Sequence, residues 1–413
     1  MESQGGEAMK KRTYSGYKSF DYLEKKDYRQ FEMEKETGWG NVEPYEVALS
    51  GHEEERFERI IEKNIIISLH DHIFTLPKAV RDRAQLIAAS RENRLPLSYE
   101  AVAQSCLDAV FDNGGNYFLM GGSQNGWKWD DCICDLGMRL CDVEHQDYFI
   151  QCKTIEDILR AHNEGKLAFI SSFESCTMLE NELDRLEILY GLGIRLLGIT
   201  WSEANSLGSG LKEKTDGGLT AFGHQVVERS NKIGMAIDIA HCGDQTCLDV
   251  IEASKKPVFI SHAGARAVWN SNRMMPDEVL LACARKGGVI GIEAAPGTTL
   301  SEKYPEQGIE SVFDHLTYCV DVMGIDHVAF GPDTMYGDHS GIHAVASEQF
   351  SGALAKKGAK EMPQIPYVKG LENPTESANN IVRYLVKSGY SDSEIEKIIG
   401  GNVMRVLKEV WYK

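Results

Sequence analysis

Short apolar runs recur along most of this chain, and each is followed by a polar cluster and then by an amphipathic stretch. The runs are rich in β-branched residues and lie at 65–69, 167–171, 194–200, 235–240, 258–261, 289–292 and 328–331. Continuous apolar runs of this length are typical of strands that are buried on both faces of a parallel sheet. Strands that alternate with helices over about 270 residues predict an α/β fold, specifically a (β/α)8 TIM barrel.

The predicted barrel, with two helices at its C-terminal end, covers residues 61–413. Residues 1–60 are polar and rich in Tyr, Glu and Lys, and we expect them to form a helical extension packed on the outside of the barrel. The stretch 112–147 breaks the alternation of strand and helix patterns. We interpret it as an insertion near the mouth of the barrel.

The composition excludes several classes of protein. Hydrophobic residues make up 42% and charged residues 26% of the chain, which excludes a disordered, collagen-like or disulfide-scaffold protein. The net charge of −18 repels phosphate backbones, so we expect no nucleic-acid partner. No apolar run is long enough for a membrane span or a secretory signal, so we expect no membrane association. The ten scattered cysteines are interpreted as reduced thiols of a cytoplasmic protein.

Side chains of the types that bind metals follow five of the predicted strands. They are His70 and His72 after the first, Glu174 after the second, and His241, His262 and Asp333 after three later ones. Alternation along a strand places His70 and His72 on one face, so both imidazoles can bind one ion. The carboxyl ends of barrel strands meet at the face where barrel enzymes have their active sites. Each residue alone has an ordinary structural explanation, but the set together predicts a metal centre.

Several longer segments carry a family pattern. The clearest is GMAIDIAHCGDQTCLDVIEASKKPVFISHAGARAV at 234–268, which includes His241 and His262. Others are LGIRLLGITWSEANSLGSG, GGVIGIEAA, GIDHVAFGPD and the closing GLENPTESANNIVRYLVKSGYSDSEIEKIIGGNVMRVLKEV. From residue 64 to its end the chain resembles the renal, or membrane, dipeptidase family of zinc metallopeptidases. The resemblance implies a homodimer that hydrolyses dipeptides with two zinc ions per chain.

The resemblance also implies a role for each site residue. The implied zinc ligands are His70 and His72 for the first ion, His241 and His262 for the second, and Glu174 as a bridge between them. Asp333 is implied to orient the bridging water or to accept its proton. Arg273 matches a family arginine that contacts the carboxylate end of the substrate or the tetrahedral intermediate.

Two positions depart from the family pattern. The family motif is His-x-Asp, whereas this chain has His70-Asp71-His72, so a neutral imidazole replaces a carboxylate. The lost negative charge weakens zinc binding or shifts the preferred metal. Trp201 stands where the family has a histidine that touches the substrate carbonyl oxygen. An indole N–H donates a hydrogen bond but carries no proton between groups.

Three functions remain open on the sequence alone. The first is zinc-dependent hydrolysis of dipeptides through a metal-bridged water. The second is hydrolysis of another amide, such as a modified or D-aminoacyl compound, which Trp201 and the stretch 112–147 favour. The third is a barrel that binds a ligand without catalysis, and the complete set of metal-type residues argues against it.

A further histidine pair is a weaker candidate for lining the site. His339 and His343 have the i, i+4 spacing of a helical zinc pair. Ser340-Gly341 disfavours a helix between them, however, and no glutamate lies inside the motif. We therefore expect this pair to lie outside the metal centre.

Overall fold

A computed structural model describes residues 12–34, 42–92, 94–114, 128–349 and 363–411, without the side chains of 346–349. Its strands form one sheet in which every pairing is parallel. The strands are β1 Ile67–Thr75, β2 Ala109–Asn113, β3 Phe149–Gln151, β4 Leu167–Phe173, β5 Leu196–Gly198, β6 Ala236–Asp238, β7 Phe259–Ala263, β8 Val289–Ile292, β9 Val328–Phe330 and β10 Met335–Tyr336. Their order is β10-β1-β2-β4-β5-β6-β7-β8-β9, and β3 pairs with β4.

Helices connect successive strands and surround the sheet. They are α1 Gly51–Lys63, α2 Arg83–Arg91, α3 Tyr99–Ala103, α4 Trp129–Glu144, α5 Ile155–Glu164, α6 Arg185–Leu192, α7 Ala221–Ile233, α8 Asp244–Ala253, α9 Asp277–Arg285, α10 Ile309–Met323, α11 His339–Gln349, α12 Pro374–Lys387, α13 Asp392–Glu396 and α14 Asn402–Val410. Three of them, α5 to α7, end at the left-handed glycines Gly165, Gly193 and Gly234. Glycine adopts this conformation without steric cost, so each helix ends just before the next strand begins.

Hydrogen bonds between β1 and the chain that follows β9 close the sheet into a ring. The amide of Asp333 donates to the carbonyl of His70, and the amide of His72 donates to the carbonyl of Thr334, each at 2.9 Å. The strand β10 then pairs with β1 through Met335. This closure, with helices outside, confirms the predicted α/β barrel.

Shifts of strand register occur at two of the histidine positions. The pairing of β1 with β2 shifts between Ser68 and Asp71, and that of β7 with β8 shifts between Ile260 and Ala263. The first interval contains His70 and the second contains His262. A bulge changes the face to which the following side chains point, and bulges are common beside active sites. These shifts therefore help to set the directions of both imidazoles.

Two regions differ from the expectations drawn from the sequence. Most of the stretch 112–147 that lies within the described residues belongs to β2 and α4, so it continues the barrel pattern; residues 115–127 lie outside them. The described part of residues 1–50 has only a short helical turn, Lys25–Asp27, and the first long helix is α1. The boundary expected after residue 60 falls inside that helix.

The irregular N-terminal segment nevertheless packs on the barrel through polar contacts. Arg12 donates to the carbonyls of Ser105 and Leu107 at 3.0 and 2.5 Å. The Asp142 carboxylate on α4 accepts hydrogen bonds from the Tyr17 hydroxyl at 2.7 Å and the Ser19 hydroxyl at 2.6 Å. Hydrogen bonds to a charged group stabilise by about 1.5–3 kcal/mol each, so these partly buried contacts attach the segment to the barrel.

Candidate metal centre

Four side chains converge at the carboxyl ends of the strands. One ligand atom from each of His70, His72, Glu174 and Asp333 lies within 4.8 Å of all the others. Nε2 of His70 is 2.8 Å from Oε1 of Glu174 and 3.4 Å from Oδ1 of Asp333. Nε2 of His72 is 3.1 Å from the same Asp333 oxygen. This is a compact set of nitrogen and oxygen donors around one point.

His241 and His262 form a second set beside the first. Their Nε2 atoms face each other at 2.9 Å, and the His262 ring stacks on the His70 ring with centroids 3.6 Å apart. Nδ1 of His262 lies 2.7 Å from the Ser261 hydroxyl, which itself donates to the Asp238 carboxylate at 2.6 Å. This chain of hydrogen bonds leaves the Nε2 lone pair of His262 available to a metal.

Asn113, at the end of β2, orients both histidines of the first set. Its carbonyl accepts a hydrogen bond from Nδ1 of His72 at 2.9 Å, and its side-chain Nδ2 lies 2.7 Å from Nδ1 of His70. The Ser172 hydroxyl in turn donates to Oδ1 of Asn113 at 3.2 Å. Sequence reasoning missed Asn113 because β2 was not recognised as a strand. The signal was present, since the run 109–111 is apolar and ends in Asp-Asn.

The electrostatics of the two histidine sets differ. Burial lowers the pKa of His70, but hydrogen bonds to Asp333 and Glu174 outweigh it and raise that pKa to about 10. Burial of His262 and His241 lowers the pKa of both. The carboxylates therefore favour a positive charge at the first set, which a metal cation would supply in place of the imidazole proton. The imidazoles of the second set stay neutral.

The donor set fits divalent metal ions such as zinc. Imidazole nitrogens and carboxylate oxygens are ordinary zinc ligands. The Nε2 atoms of His241 and His262 lie 2.9 Å apart, so one cation beside them could bind both nitrogens. Glu174 lies 2.8 Å from His70 of the first set. The His70 ring stacks on the His262 ring, so the two sets are adjacent. The residues that would hold the ions are therefore His70, His72, Glu174, His241 and His262, with Asp333 beside them.

Arg273 is buried next to the second set and its guanidinium is held in place. It donates to the carbonyl of His262 at 2.8 Å and to the carbonyl of Ala240 at 3.2 Å. Its Nη2 also lies 3.0 Å from Oε2 of Glu293, which directly follows β8. Burial raises the pKa of Glu293 to about 8, although Arg273 opposes the rise. Sequence reasoning missed Glu293, a carboxylate after a buried strand like the others.

Trp201 lies over the second histidine set in a half-buried position. Its ring centroid is 5.8 Å from that of His241, and the Lys212 ammonium lies 5.2 Å above the indole. The loop that carries them is attached to the site, because the Leu211 amide donates to the His241 carbonyl at 3.0 Å. The indole therefore lies beside the second histidine set.

The expectation that Ser340-Gly341 prevents a helix was wrong, because α11 begins at His339. The Asp338 carboxylate accepts a hydrogen bond from the Gly341 amide at 2.7 Å, which stabilises the start of the helix. The rings of His339 and His343 contact each other at 4.4 Å. Burial lowers the pKa of both, and the charge of Asp333 influences both, which places the pair near the metal centre.

Comparison with known proteins agrees with this geometry. The model of the membrane dipeptidase family, peptidase family M19, matches residues 133–353. The chain belongs to this family. The matched region contains Glu174, Trp201, His241, His262, Arg273 and Asp333. His70 and His72 lie outside the matched region, and the structure brings them to the same site.

Individual relatives and solved structures show how far the similarity extends. The chain is 29% identical to dipeptidase tcpJ of Claviceps purpurea over 279 residues, which cover 67% of this chain but only 58% of that protein. An amidohydrolase of Pseudomonas aeruginosa has 21% identity and a TM-score of 0.69 over 86% of this chain and 99% of its own. A metallo peptidase of Rhodobacter sphaeroides was solved with a phosphinate mimic of the dipeptide L-Ala-D-Ala. It has 19% identity and a TM-score of 0.64, and the match covers 84% of this chain and 100% of that one. At these identities the solved structures establish the fold.

Proposed function

We propose that this protein hydrolyses short peptides, most simply dipeptides, with two zinc ions bound at the ends of the barrel strands. The observation that carries the proposal is the convergence of His70, His72, Glu174 and Asp333 beside the facing pair His241 and His262. Family membership supports the same activity. The imidazole of His72 keeps the donor set complete, although it carries no negative charge.

Each side chain has a chemical task in this reaction. Bound zinc ions supply Lewis acidity and lower the pKa of water at the site. The Glu174 carboxylate would help to hold the bound metal and would balance part of its charge. Asp333 accepts a proton at Oδ1 from the attacking water and returns it to the nitrogen of the leaving amine. No covalent intermediate with the protein is required.

Arg273 and Trp201 are proposed to contact the substrate from the side of the second histidine set. The guanidinium of Arg273 donates hydrogen bonds to the C-terminal end of the substrate. The indole N–H of Trp201 offers one further hydrogen bond but no proton transfer. Since Trp201 cannot act as an acid, proton transfer to the leaving group depends on Asp333.

Three further proposals concern the state of the whole protein. All ten cysteines are free thiols, which supports a reducing, cytoplasmic compartment. Among the described residues, no helix has the length and apolar character needed to cross a membrane. Family resemblance supports a homodimer, which light scattering of the purified protein would test. The contacts of Arg12 and Asp142 support residues 1–60 as an extension that packs on a barrel of residues 61–413.

The deciding experiment measures release of amino acids by the zinc-loaded protein from L,L and L,D dipeptides and from N-acyl amino acids. Glu174→Gln is expected to lower kcat by at least about 1,000-fold, because it removes a shared metal ligand. Glu228→Gln, an exposed change on α7, is the matched control and keeps wild-type rates. Turnover of N-acyl amino acids alone would replace the dipeptide assignment with another amide. No turnover of any substrate by protein with two bound zinc ions would overturn the proposal.

A further inference from the structure

Beside the metal centre, Arg273 and Glu293 form an ion pair that is almost completely buried. Their side chains are 6% and 1% exposed, and Nη2 lies 3.0 Å from Oε2. Arg273 follows β7 and Glu293 follows β8, so both project from the same end of the barrel as the metal-type residues. Whenever Glu293 is ionised, the charge on Arg273 is therefore accompanied by an opposite charge before any substrate arrives.

The guanidinium is also fixed in position by the protein. Nη1 donates to the carbonyl of Ala240, just after β6, and Nη2 donates to the carbonyl of His262, within β7. A substrate carboxylate can reach this arginine only in the presence of Glu293. Two carboxylates near one guanidinium repel each other strongly where water is excluded. The pair thus disfavours a second negative charge.

Glu293 has unused capacity to accept hydrogen bonds. Its Oε2 atom is buried and accepts no hydrogen bond from the residues that the structure describes, although it lies close to Arg273. A buried acceptor without a hydrogen bond is costly, so a ligand N–H that satisfies it is favoured. Beside this acceptor, the Arg273 guanidinium carries five N–H groups. The carbonyls of Ala240 and His262 accept hydrogen bonds from only some of them.

A donor and an acceptor side by side match a carboxamide, which has a carbonyl oxygen and an N–H of its own. We propose that the Arg273–Glu293 pair makes the site select a neutral amide over a free carboxylate at the C-terminal end of the substrate. This inference rests on the proposed peptidase function and names its substrate class. The preferred substrates are dipeptide amides, or longer peptides in which the next peptide bond occupies this position.

The test compares alanyl-alanine with its C-terminal amide at about pH 9, where Glu293, with a pKa of about 8, is ionised. Wild-type protein is expected to have a kcat/KM for the amide equal to or above that for the acid. Glu293→Gln restores an unbalanced charge on Arg273 and is expected to shift the ratio toward the acid by about tenfold, mainly through KM. A higher wild-type kcat/KM for the acid than for the amide would overturn the inference.

Asp244→Asn is the matched control. Asp244 pairs with Arg266 through two contacts of 2.7 and 2.8 Å, and Arg266 also holds the carbonyl of Met274 next to Arg273. This change removes a carboxylate from an arginine pair and loosens the same loop without altering the charge beside Arg273. It is expected to leave the ratio of acid to amide unchanged. If Asp244→Asn and Glu293→Gln shift the ratio of acid to amide hydrolysis equally, the inference that charge causes the selectivity is overturned.

A binding measurement separates this inference from the proposed function. Calorimetry with phosphinate mimics of alanyl-alanine, one ending in a carboxylate and one in an amide, needs no turnover. If neither peptide is cleaved but the amide mimic binds more tightly, the proposed hydrolysis fails and the selectivity stands. If the carboxylate mimic binds more tightly to the wild-type protein, the selectivity fails. If Glu293→Gln does not fold, the comparison of the two mimics on wild-type protein still tests the selectivity.

Discussion

The Asp71 carboxylate accepts two hydrogen bonds from Thr334, one from its amide at 2.8 Å and one from its hydroxyl at 2.7 Å, both on Oδ1. Thr334 directly follows Asp333, whose φ of 55° lies in the left-handed region that few residues other than glycine adopt. Asp71 itself lies between the two histidines of β1. The contact therefore joins the histidine strand to the proposed proton acceptor and holds that acceptor in a strained conformation.

Loss of the Thr334 hydroxyl is expected to loosen Asp333. We predict that Thr334→Val lowers kcat by about tenfold and the free energy of unfolding by about 1–2 kcal/mol, since a buried carboxylate loses one donor. Zinc content should not change, because the Thr334 hydroxyl donates to Asp71, which is not a proposed metal ligand. Thr334→Ser keeps the hydroxyl and should retain most of the wild-type kcat and free energy of unfolding. Equal defects in the valine and serine variants would show that the hydroxyl is unimportant.

Asn113 is expected to control metal affinity rather than fold stability. Asn113→Ala removes the side-chain contact with His70, and we predict that zinc binds about 10–100-fold more weakly, as for other residues that orient metal ligands. Competition with a coloured chelator measures this affinity. Asn231→Ala serves as the comparison, because Asn231 makes similar hydrogen bonds to Ser254 and Lys255 away from the histidines. Unchanged zinc affinity in the Asn113 variant would contradict the assignment.

His72 is expected to set which metal is preferred. His72→Asp adds a negative charge and a hard oxygen ligand, so we predict that affinity for Mn²⁺ rises relative to zinc. The variant also loses the hydrogen bond from Nδ1 to the Asn113 carbonyl. Metal analysis of protein loaded from an equimolar mixture of both ions measures the preference. An unchanged ratio of manganese to zinc would mean that the charge of this ligand does not determine selectivity.

Glu372, beside the start of α12, is expected to make stability depend on pH. Burial raises its pKa from 4.5 to about 8, although the Val368 amide donates to it at 3.0 Å. The folded state therefore holds this proton more tightly than the unfolded state. The stability it contributes is complete below about pH 4.5 and is lost as the pH rises to about 8.

Neutralising Glu372 should remove that dependence. We predict that Glu372→Gln raises the melting temperature relative to wild type at pH 9 and has a smaller effect at pH 5. Glu62→Gln, at an exposed position of α1, should leave the melting temperature unchanged at both values. A Glu372 variant that is less stable than wild type at pH 9 would show that the carboxylate is ionised and favourable in the folded protein.

The sequence predicted the barrel because seven of its strands are continuous apolar runs, and it predicted the ligands because each follows such a run. Strand alternation alone did not predict the register shifts around His70 and His262, since a shift depends on how a strand pairs with its neighbour. The strand β2 was missed, and its polar end, Asp112 and Asn113, lies in the stretch interpreted as an insertion.

Other errors came from judging local sequence without its tertiary partners. Ser340-Gly341 has low helix propensity, but Asp338 caps the helix and favourable packing outweighs the propensity. Glu293 directly follows a buried strand, as the predicted ligands do. Its proposed role depends on the 3.0 Å contact with Arg273, which the spacing of residues in the sequence does not predict. The roles proposed for the site residues remain predictions that the variants above test.

The stacked rings of His70 and His262 have a consequence for metal loading. Their centroids are 3.6 Å apart, and they belong to the two different ligand sets. An ion that fixes one ring also fixes its neighbour, so the first ion prepares the site of the second. By thermodynamic reciprocity the second ion then strengthens binding of the first by the same factor. We expect a chelator to remove both ions in one cooperative transition, so that molecules with a single ion are rare.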